Sequence, residues 1–334
     1  MFLPEAIFFE KEIEKYKLGE ELITLYKNYN VPFYEIENHN NIEEMRKKEN
    51  KDFPKMKRNL ILGIRKTHNY VENHKVSDFL VPYTSSGCIA MCLYCYLVCN
   101  YNKCSYLRIF VNREYMLDKL INKAQKAEKE LTFEIGSNSD LVLENTITHN
   151  LEWTIENFAN TTKGKITFPT KFSMIDSLLE LNHKGKVIIR MSVNPEEIIK
   201  EIEKGTSPLK QRIEAINKLK EAGYEVGILI APVILVDNYK LLYKNLINYM
   251  YENLSKKAKK DIFFEIIFMT YSYVHRKINE EAFPKSNDLY SKELMAMKGK
   301  GKYRYKNEIK QEAEKYIVEL LSQKFKDNKI IYIV

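Results

Sequence analysis

The feature that most restricts the fold is a regular alternation of short apolar segments with longer helical ones, which begins at residue 79. The apolar segments are rich in β-branched and aromatic residues and are too short to be buried helices. They cover residues 79–84, 131–137, 165–170, 187–194, 225–233 and 262–268. Helical patterns lie between them, at residues 114–130, 151–160, 171–182, 210–222 and 240–254. Six such alternations predict parallel β/α units, and therefore an α/β fold that forms a partial (β/α)6 TIM-like barrel.

The part of the chain before this alternation has a different pattern. Residues 1–75 are polar, and Ile13, Leu22 and Tyr26 recur at roughly helical spacing. We therefore predict an N-terminal helical segment over residues 1–75, followed by the barrel over residues 76–334. The longest nearly uncharged apolar run, residues 226–236, has 11 residues, whereas a helix that crosses a bilayer needs roughly 20. The sequence therefore predicts no membrane-spanning helix.

All five cysteines lie between Cys88 and Cys104. The N-terminus has no basic segment followed by a long apolar core, so we expect a cytoplasmic protein whose thiols stay reduced. Cys88, Cys92 and Cys95 form a C-x3-C-x2-C motif after the first predicted strand. Three thiolates on a short loop can hold three irons of a cubane cluster and leave the fourth iron open to a chelating ligand. The alternatives are a structural zinc site that adds Cys99 or Cys104, and a chance cluster of buried thiols.

Polar residues follow several of the predicted strands. Ser139 and Asp140 come after the second strand, Lys171 after the third, and Ser192 lies near the end of the fourth. In parallel β/α folds the carboxyl ends of the strands meet at the edge where sites are built. These side chains are therefore candidates for binding a ligand. The alternative is that Asp140 caps a helix and Lys171 is solvated.

The cysteine motif, its position after the first strand and the β/α alternation together resemble the radical S-adenosylmethionine (AdoMet) superfamily. The resemblance implies a [4Fe–4S] cluster held by Cys88, Cys92 and Cys95. It also implies that AdoMet chelates the fourth iron and that Tyr94, the aromatic residue before the third cysteine, lies near the adenine. The fold implied is the partial barrel of the radical AdoMet type.

Further segments resemble one family within that superfamily, the spore photoproduct lyases. In chain order they read SYLRIFVN, FEIGSNSDLV, ITFPTKF, IIRMSVN, EAGYEVGILIAPV and GKGKYRYK. The resemblance implies a DNA repair lyase that converts 5-thyminyl-5,6-dihydrothymine, the spore photoproduct, into two thymines by means of a 5′-deoxyadenosyl radical. It also places five residues near the cofactor, namely Ser139, Asp140, Lys171, Ser192 and Ala231.

The resemblance also implies partners for the chain. They are UV-damaged DNA and an electron donor such as a flavodoxin or a ferredoxin, and the protein is expected to be a monomer. Two other functions are consistent with the residues. One is a related radical enzyme that acts on another nucleic acid or on a small molecule. The other is a zinc-stapled nucleic-acid-binding protein without catalysis.

One position departs from the family pattern. The family commonly has a cysteine in the second-strand block as the hydrogen donor to the product radical, and here that position is Ser137. A serine O–H bond is too strong to replace a thiol in this role. We therefore predict that Cys99 or Cys104 donates the hydrogen and that Tyr96 completes the path to the adenosyl radical. The alternatives are that both thiols have no role, or that the substrate is different.

A basic, aromatic segment lies near the C-terminus. Lys298, Lys300, Lys302 and Arg304 alternate with Gly299, Gly301, Tyr303 and Tyr305. The two glycines predict a tight turn and thus a C-terminal β-hairpin. Its cations can neutralise DNA phosphates, and its aromatic rings can fill the gap left by an extruded base. We predict DNA contacts from these six charged and aromatic residues; the alternative is a solvated basic loop.

Overall fold

The computed structural model describes residues 2–99, 106–161, 163–284 and 289–334, without the side chains of residues 98 and 99. The chain forms two compact units. Unit 1 comprises residues 1–89, 97–170 and 174–188, and unit 2 comprises residues 90–96, 171–173 and 189–334.

The strands and helices are numbered in chain order. The strands are β1 (Ala6–Glu10), β2 (Phe33–Ile36), β3 (Asn59–Gly63), β4 (Val71–Glu72), β5 (Phe79–Leu80), β6 (Ser85–Ser86), β7 (Met91–Cys92), β8 (Leu107–Phe110), β9 (Thr132–Glu134), β10 (Lys165–Thr170), β11 (Val187–Val193), β12 (Glu203–Lys204), β13 (Glu225–Val233), β14 (Phe263–Phe268), β15 (Thr270–Ser272), β16 (Met295–Met297), β17 (Lys302–Tyr305) and β18 (Ile330–Ile333). The helices are α1 (Lys17–Lys27), α2 (Glu43–Arg46), α3 (Phe53–Met56), α4 (Arg113–Lys126), α5 (Leu141–Thr148), α6 (Asn150–Ala159), α7 (Glu196–Glu201), α8 (Leu209–Glu221), α9 (Tyr239–Asn253), α10 (Lys256–Asp261), α11 (Tyr273–Ala282) and α12 (Asn307–Lys324).

Unit 1 contains a five-stranded sheet in the order β2-β1-β3-β8-β6. The first four strands are parallel, and β6 is antiparallel to β8. Helix α1 buries Leu18, Leu22 and Tyr26 on one face, against strand residues such as Ile7 and Leu60. The segment before residue 76 therefore contains the predicted helical face but also strands that the sequence analysis did not predict. The pairing of β3 with β8 crosses the domain boundary predicted at residue 75, so unit 1 does not end there.

Unit 1 also contains the strands β10, β9, β5 and β4, in that order. The pairs β10–β9 and β5–β9 are parallel, whereas β4 is antiparallel to β5. Unit 2 contains the order β18-β14-β13-β11, and the pairs β13–β14 and β14–β18 are parallel. Every residue of β11 is buried, as expected for a parallel strand covered on both faces. These strands are the β/α units that the alternation predicts.

A strand lies within each of the six predicted segments, and β10 and β13 have the predicted bounds, whereas β5 and β9 are shorter than predicted. The helix predicted over residues 171–182 is wrong, because this segment contains only a short 3-10 turn at Asp176–Leu178. The backbone of this segment forms hydrogen bonds with Ser207 instead. The Ser207 N–H donates to the carbonyl of Lys171 at 3.2 Å, and the Ser173 N–H donates to the Ser207 hydroxyl at 2.9 Å. Among the described residues, no helix is long and apolar enough to cross a membrane.

The predicted C-terminal hairpin is present in unit 2. Strands β16 and β17 are antiparallel, and β15 pairs with the other edge of β17. The turn has φ values of +92° at Gly299 and +68° at Gly301, a backbone region that favours glycine. The chain thereby reverses within four residues, and the Lys298 N–H donates to the carbonyl of Lys302 at 2.8 Å.

Candidate active site

The part of the cysteine loop that belongs to unit 2 is fixed by its backbone. Strand β7 carries Cys92 and pairs antiparallel with β12, which places Cys92 opposite Glu203. The Leu93 N–H donates to the carbonyl of Ile202 at 2.9 Å, and the Cys95 N–H donates to the carbonyl of Cys92 at 3.1 Å. Cys92 is buried, Cys95 is half-buried, and neither forms a disulfide. The loop thus presents two thiols that are held in place and not consumed by a disulfide.

The first cysteine of the motif lies in unit 1. Cys88 is half-buried and forms no disulfide, and it follows Gly87, whose N–H donates to the carbonyl of Asn138 at 2.8 Å. Gly87 also forms a parallel bridge with Ser139. The hydroxyls of Ser139 and Ser85 are 2.6 Å apart. The predicted cofactor residue Ser139 is therefore bound to the segment that leads into Cys88.

A buried carboxylate organises the polar side chains of unit 2. Glu203 is 1% exposed, and its Oε1 accepts hydrogen bonds from the Tyr94 hydroxyl at 2.5 Å, Lys171 Nζ at 2.8 Å and Asn194 Nδ2 at 2.9 Å. Its Oε2 accepts from Arg212 Nη2 at 2.7 Å. Burial alone would raise the pKa of Glu203, but the charges of Lys171 and Arg212 outweigh burial and lower the pKa to about 2. Glu203 is therefore ionised and forms ion pairs with both cations.

Lys171 brings the predicted cofactor residues of unit 2 together. Its Nζ donates to the Ser192 hydroxyl at 2.6 Å and to the carbonyl of Ala231 at 2.8 Å, and it lies 5.4 Å from the centre of the Tyr94 ring. The Ser192 hydroxyl also donates to the Ala231 carbonyl at 2.9 Å. The Lys171 side chain is only 21% exposed, so the alternative that it is solvated is wrong.

Tyr94 is the aromatic residue of this cluster. Burial, and next the nearby carboxylate of Glu203, raise the pKa of Tyr94 well above its usual range. The hydroxyl therefore stays protonated and donates to Glu203. A ring held by its hydroxyl in this way offers a fixed face or edge to a planar ligand.

Asp140 has the structural role that the alternative assigned to it. Its Oδ1 accepts the N–H groups of Val142 at 3.2 Å and Leu143 at 3.3 Å, which makes it the N-cap of α5. The Thr170 hydroxyl donates to the same oxygen at 2.8 Å. A contact between Asp140 and the cofactor stays a prediction.

Two buried glutamates were missed by the sequence analysis. Glu203 is one, and the other is Glu144 of α5, whose carboxylate accepts from Thr84 at 3.0 Å, Ser85 at 3.3 Å and Asn150 at 2.7 Å. Burial raises the pKa of Glu144 above its usual value. Because Ser85 also contacts Ser139, Glu144 supports the strand end that carries a predicted cofactor residue. Nothing in the sequence marks either glutamate, since most glutamates in charged segments are solvated.

The residues predicted to carry the hydrogen transfer are only partly described. Ser137 is half-buried, and Tyr96 is 55% exposed at the start of the 3-10 helix Tyr96–Cys99. The side chain of Cys99 and the whole of Cys104 lie outside the described residues. Their role stays a prediction.

The hairpin presents most of its predicted DNA contacts to solvent. Lys298, Lys300, Lys302 and Arg304 are exposed. Tyr303 is half-buried and stacks on Tyr271, with ring centres 4.8 Å apart and an interplanar angle of 3°.

Tyr305 is an exception among the predicted DNA contacts. It is 3% exposed, and its hydroxyl accepts the Leu235 N–H at 2.9 Å. Burial raises the pKa of Tyr305 above its usual value. We therefore assign Tyr305 to the core rather than to the DNA surface.

The donor set was compared with what a metal centre needs. A zinc site would draw its thiols around one ion, at about 2.3 Å from it. Among the described residues, no group of three histidine, cysteine or acidic side chains is arranged to hold a single ion. In a cubane cluster each cysteine binds a different iron, so its thiols stand further apart. Cys88, Cys92 and Cys95 form no disulfide, so their thiols suit that role.

The chain was then compared with known proteins. The family model described as "Spore photoproduct lyase" matches residues 2–334. Spore photoproduct lyase of Bacillus subtilis (strain 168) is 31% identical over 326 residues, which cover 95% of each chain. The spore photoproduct lyase of Geobacillus sp. (strain Y412MC61) is 28% identical over 341 residues, covering 99% of this chain and 98% of the relative.

Solved structures give the same result. A cysteine-to-serine mutant of spore photoproduct lyase has a TM-score of 0.92 and 27% identity, and the match covers 100% of this chain and 99% of that one. Spore photoproduct lyase complexed with dinucleoside spore photoproduct has a TM-score of 0.91 at 28% identity and the same coverage. A double mutant with bound AdoMet and dinucleoside spore photoproduct has a TM-score of 0.91 at 28% identity, again with the same coverage.

The α/β partial-barrel fold and the three-cysteine loop define a radical AdoMet enzyme. Within that class, the chain belongs to the spore photoproduct lyase family.

Proposed function

We propose that this protein is a DNA repair lyase that converts the spore photoproduct in UV-damaged DNA into two thymines. The observation that carries this conclusion is family membership over residues 2–334, and the C-x3-C-x2-C motif agrees with it. The cofactors are a [4Fe–4S] cluster and AdoMet. When bound, the cluster supplies the electron that cleaves AdoMet and gives the 5′-deoxyadenosyl radical. A non-catalytic zinc protein is set aside, because the family to which the chain belongs is one of lyases.

The residues of the chain divide into two groups around the cofactors. Cys88, Cys92 and Cys95 would ligate the cluster. Tyr94 would contact the adenine, and Ser139, Asp140, Lys171, Ser192 and Ala231 would line the rest of the AdoMet site. The support is chemical: Lys171, Ser192 and the Ala231 carbonyl already form one hydrogen-bonded set beside Tyr94. A cation and a hydroxyl are suitable partners for a carboxylate and for ribose hydroxyls.

Cys99 or Cys104 would donate hydrogen to the product thymine radical, with Tyr96 returning hydrogen to deoxyadenosine. The support is that Ser137 occupies the position of the family's usual thiol donor and that these two cysteines are the remaining thiols of the sequence.

The hairpin would bind the DNA around the lesion. Four exposed cations, Lys298, Lys300, Lys302 and Arg304, surround the turn, and the stacked pair Tyr303 and Tyr271 stands beside them. Because a lesion fused across two thymines must leave the base stack to reach a buried site, cations for phosphates next to an aromatic pair suit this task.

Three further points complete the proposal. The electron donor would be a small redox protein such as a flavodoxin or a ferredoxin, the chain would act as a monomer, and it would work in the reducing cytoplasm. Free thiols suit a reducing compartment.

The test is turnover with a defined substrate. Protein purified without oxygen should be brown, hold about four irons per chain, and return two thymidines from dinucleoside spore photoproduct in the presence of AdoMet and a reductant. A colourless protein that retains zinc, or a brown one that cleaves AdoMet but leaves the dinucleoside unchanged, would contradict the proposal. The second result would point to a related radical enzyme with another substrate.

A further inference from the structure

The carbonyl of Leu93 receives two buried side-chain hydrogen bonds. Leu93 lies within the C-x2-C part of the motif, between Cys92 and Tyr94. The Asn279 side-chain amide donates to this carbonyl, and the Tyr290 hydroxyl donates to it at 2.9 Å. Asn279 also donates to the Tyr290 hydroxyl at 2.9 Å, so the three groups form a closed network. All of them belong to unit 2.

This network has the properties of a positioning device. Asn279 is fully buried in α11 and Tyr290 is 2% exposed, although a buried polar side chain costs free energy unless it is bonded. Asparagine is also a poor residue for a helix interior. A carbonyl oxygen has two lone pairs, and here two buried side chains donate to it. The direction of this carbonyl, and with it the orientation of the peptide between Leu93 and Tyr94, is thereby held from two sides.

The same network reaches the hairpin. The Tyr290 ring packs edge-on against Tyr271, with ring centres 4.8 Å apart and an angle of 70°. Tyr271 is opposite Tyr303 in the pairing of β15 with β17, and their rings are stacked. A continuous series of contacts therefore leads from the half-buried hairpin residue Tyr303, through Tyr271 and Tyr290, to the cysteine loop.

We propose that Asn279 and Tyr290 are positioning residues that fix the Leu93–Tyr94 peptide of the cysteine loop and connect it to the DNA-binding hairpin. This inference rests on the proposed function. Peptide groups and hydrogen bonds around an iron–sulfur cluster set its reduction potential. Tyr290 and Asn279 therefore hold one of the peptides on which that potential depends. DNA bound at the hairpin alters the potential through Tyr271.

The decisive variant is Tyr290→Phe, which keeps the ring and removes the hydroxyl. The matched control is Tyr26→Phe in unit 1, because Tyr26 is also buried and its hydroxyl also donates to a backbone carbonyl, that of Phe2 at 3.1 Å. Both variants should keep their iron. Tyr290→Phe should shift the midpoint potential and the EPR spectrum of the cluster, and the control should not. Uncoupled AdoMet cleavage should change about fivefold in Tyr290→Phe, the size expected for one lost buried hydrogen bond.

A second measurement tests the connection to the hairpin. Addition of lesion-bearing DNA should change the EPR spectrum of the wild-type cluster, and this change should be lost in Tyr290→Phe and in Tyr271→Leu. An unchanged potential in Tyr290→Phe, or a DNA response equal to that of the wild type, would overturn the proposal. If the wild-type protein holds no cluster, the proposed function itself fails, which is a distinguishable result. Because Asn279→Leu risks misfolding, the conclusion depends on Tyr290→Phe.

Discussion

At the scale of the single residue, Glu203 is a buried charge that pairs with two cations, Lys171 and Arg212. Glu203→Gln removes the anion but keeps the shape, and it leaves Lys171 and Arg212 as buried cations with less compensation. Breaking a buried ion pair from one side costs about 3 kcal/mol. We expect a loss of that order in the free energy of unfolding from urea titration, and weaker AdoMet binding by calorimetry.

The control for this variant lies two residues earlier. Glu201→Gln removes the same charge from the exposed end of α7 and should change neither quantity. Equal stability and affinity for the two variants would show that Glu203 does not organise the site.

Substitutions of single residues also test which side chain is the hydrogen donor. Alanine at the true donor, Cys99 or Cys104, should leave cleavage of the lesion intact but divert the thymine radical to by-products that chromatography detects. Ser137→Ala should repair the lesion normally, because a serine hydroxyl is not a hydrogen donor to a carbon radical. Clean repair by the Cys99→Ala, Cys104→Ala double variant would contradict this prediction and leave solvent, an added thiol or a tyrosine as donor.

The sequence predicts individual site residues to the extent that their chemistry is local. The three cysteines follow from their spacing, and Tyr94, Lys171, Ser192 and Ala231 follow from the family pattern. Glu203 could not be predicted, because its burial depends on side chains from separate strands and helices that meet only in the folded chain. Tyr305 was misjudged for a related reason: Lys302 and Arg304 on β17 are exposed, but the alternation of a strand turns the Tyr305 side chain to the core.

At the scale of the element, the contribution of the hairpin to DNA binding can be measured separately from that of the rest of the protein. Lys302→Ala with Arg304→Ala should weaken DNA binding and lower the slope of log affinity against log salt by about 2, since about one counterion is released per phosphate contact. The measurement is a fluorescence titration at several salt concentrations.

The control for this double variant is a pair of exposed lysines outside the hairpin. Lys256→Ala with Lys260→Ala removes the same net charge from helix α10 and should leave the slope unchanged. If both pairs lower affinity equally, the hairpin contributes only through overall charge and its cations do not contact phosphates.

The sequence predicts the bounds of some strands correctly, misses other strands, and predicts one helix that is not formed. Strand β13 was predicted to the residue because a buried parallel strand is a nearly continuous apolar run, and β10 because most of its residues are β-branched or aromatic. Strands β1 to β3 were missed because they are short and lie among charged residues in a segment with a helical pattern. The helix predicted over residues 171–182 fails because Ser207 takes up the backbone of Lys171 and Ser173, an interaction that no local pattern reveals.

At the scale of the whole molecule, the residues proposed to hold the cofactors and those proposed to bind DNA are different, so the removal of one set should leave the binding of the other ligand intact. Cys92→Ala deletes one of the three cluster thiols, and three are the minimum for a cluster with one open iron. This variant should lose iron and AdoMet cleavage but bind DNA with the affinity and salt slope of the wild type. The Lys302→Ala, Arg304→Ala variant should show the converse: full iron content and uncoupled AdoMet cleavage, with weakened DNA binding. Iron content, AdoMet cleavage without DNA and DNA affinity should therefore be measured on both variants. Full iron and activity in Cys92→Ala would refute the cluster assignment, and loss of DNA binding in Cys92→Ala would show that the cluster is needed to form the DNA surface.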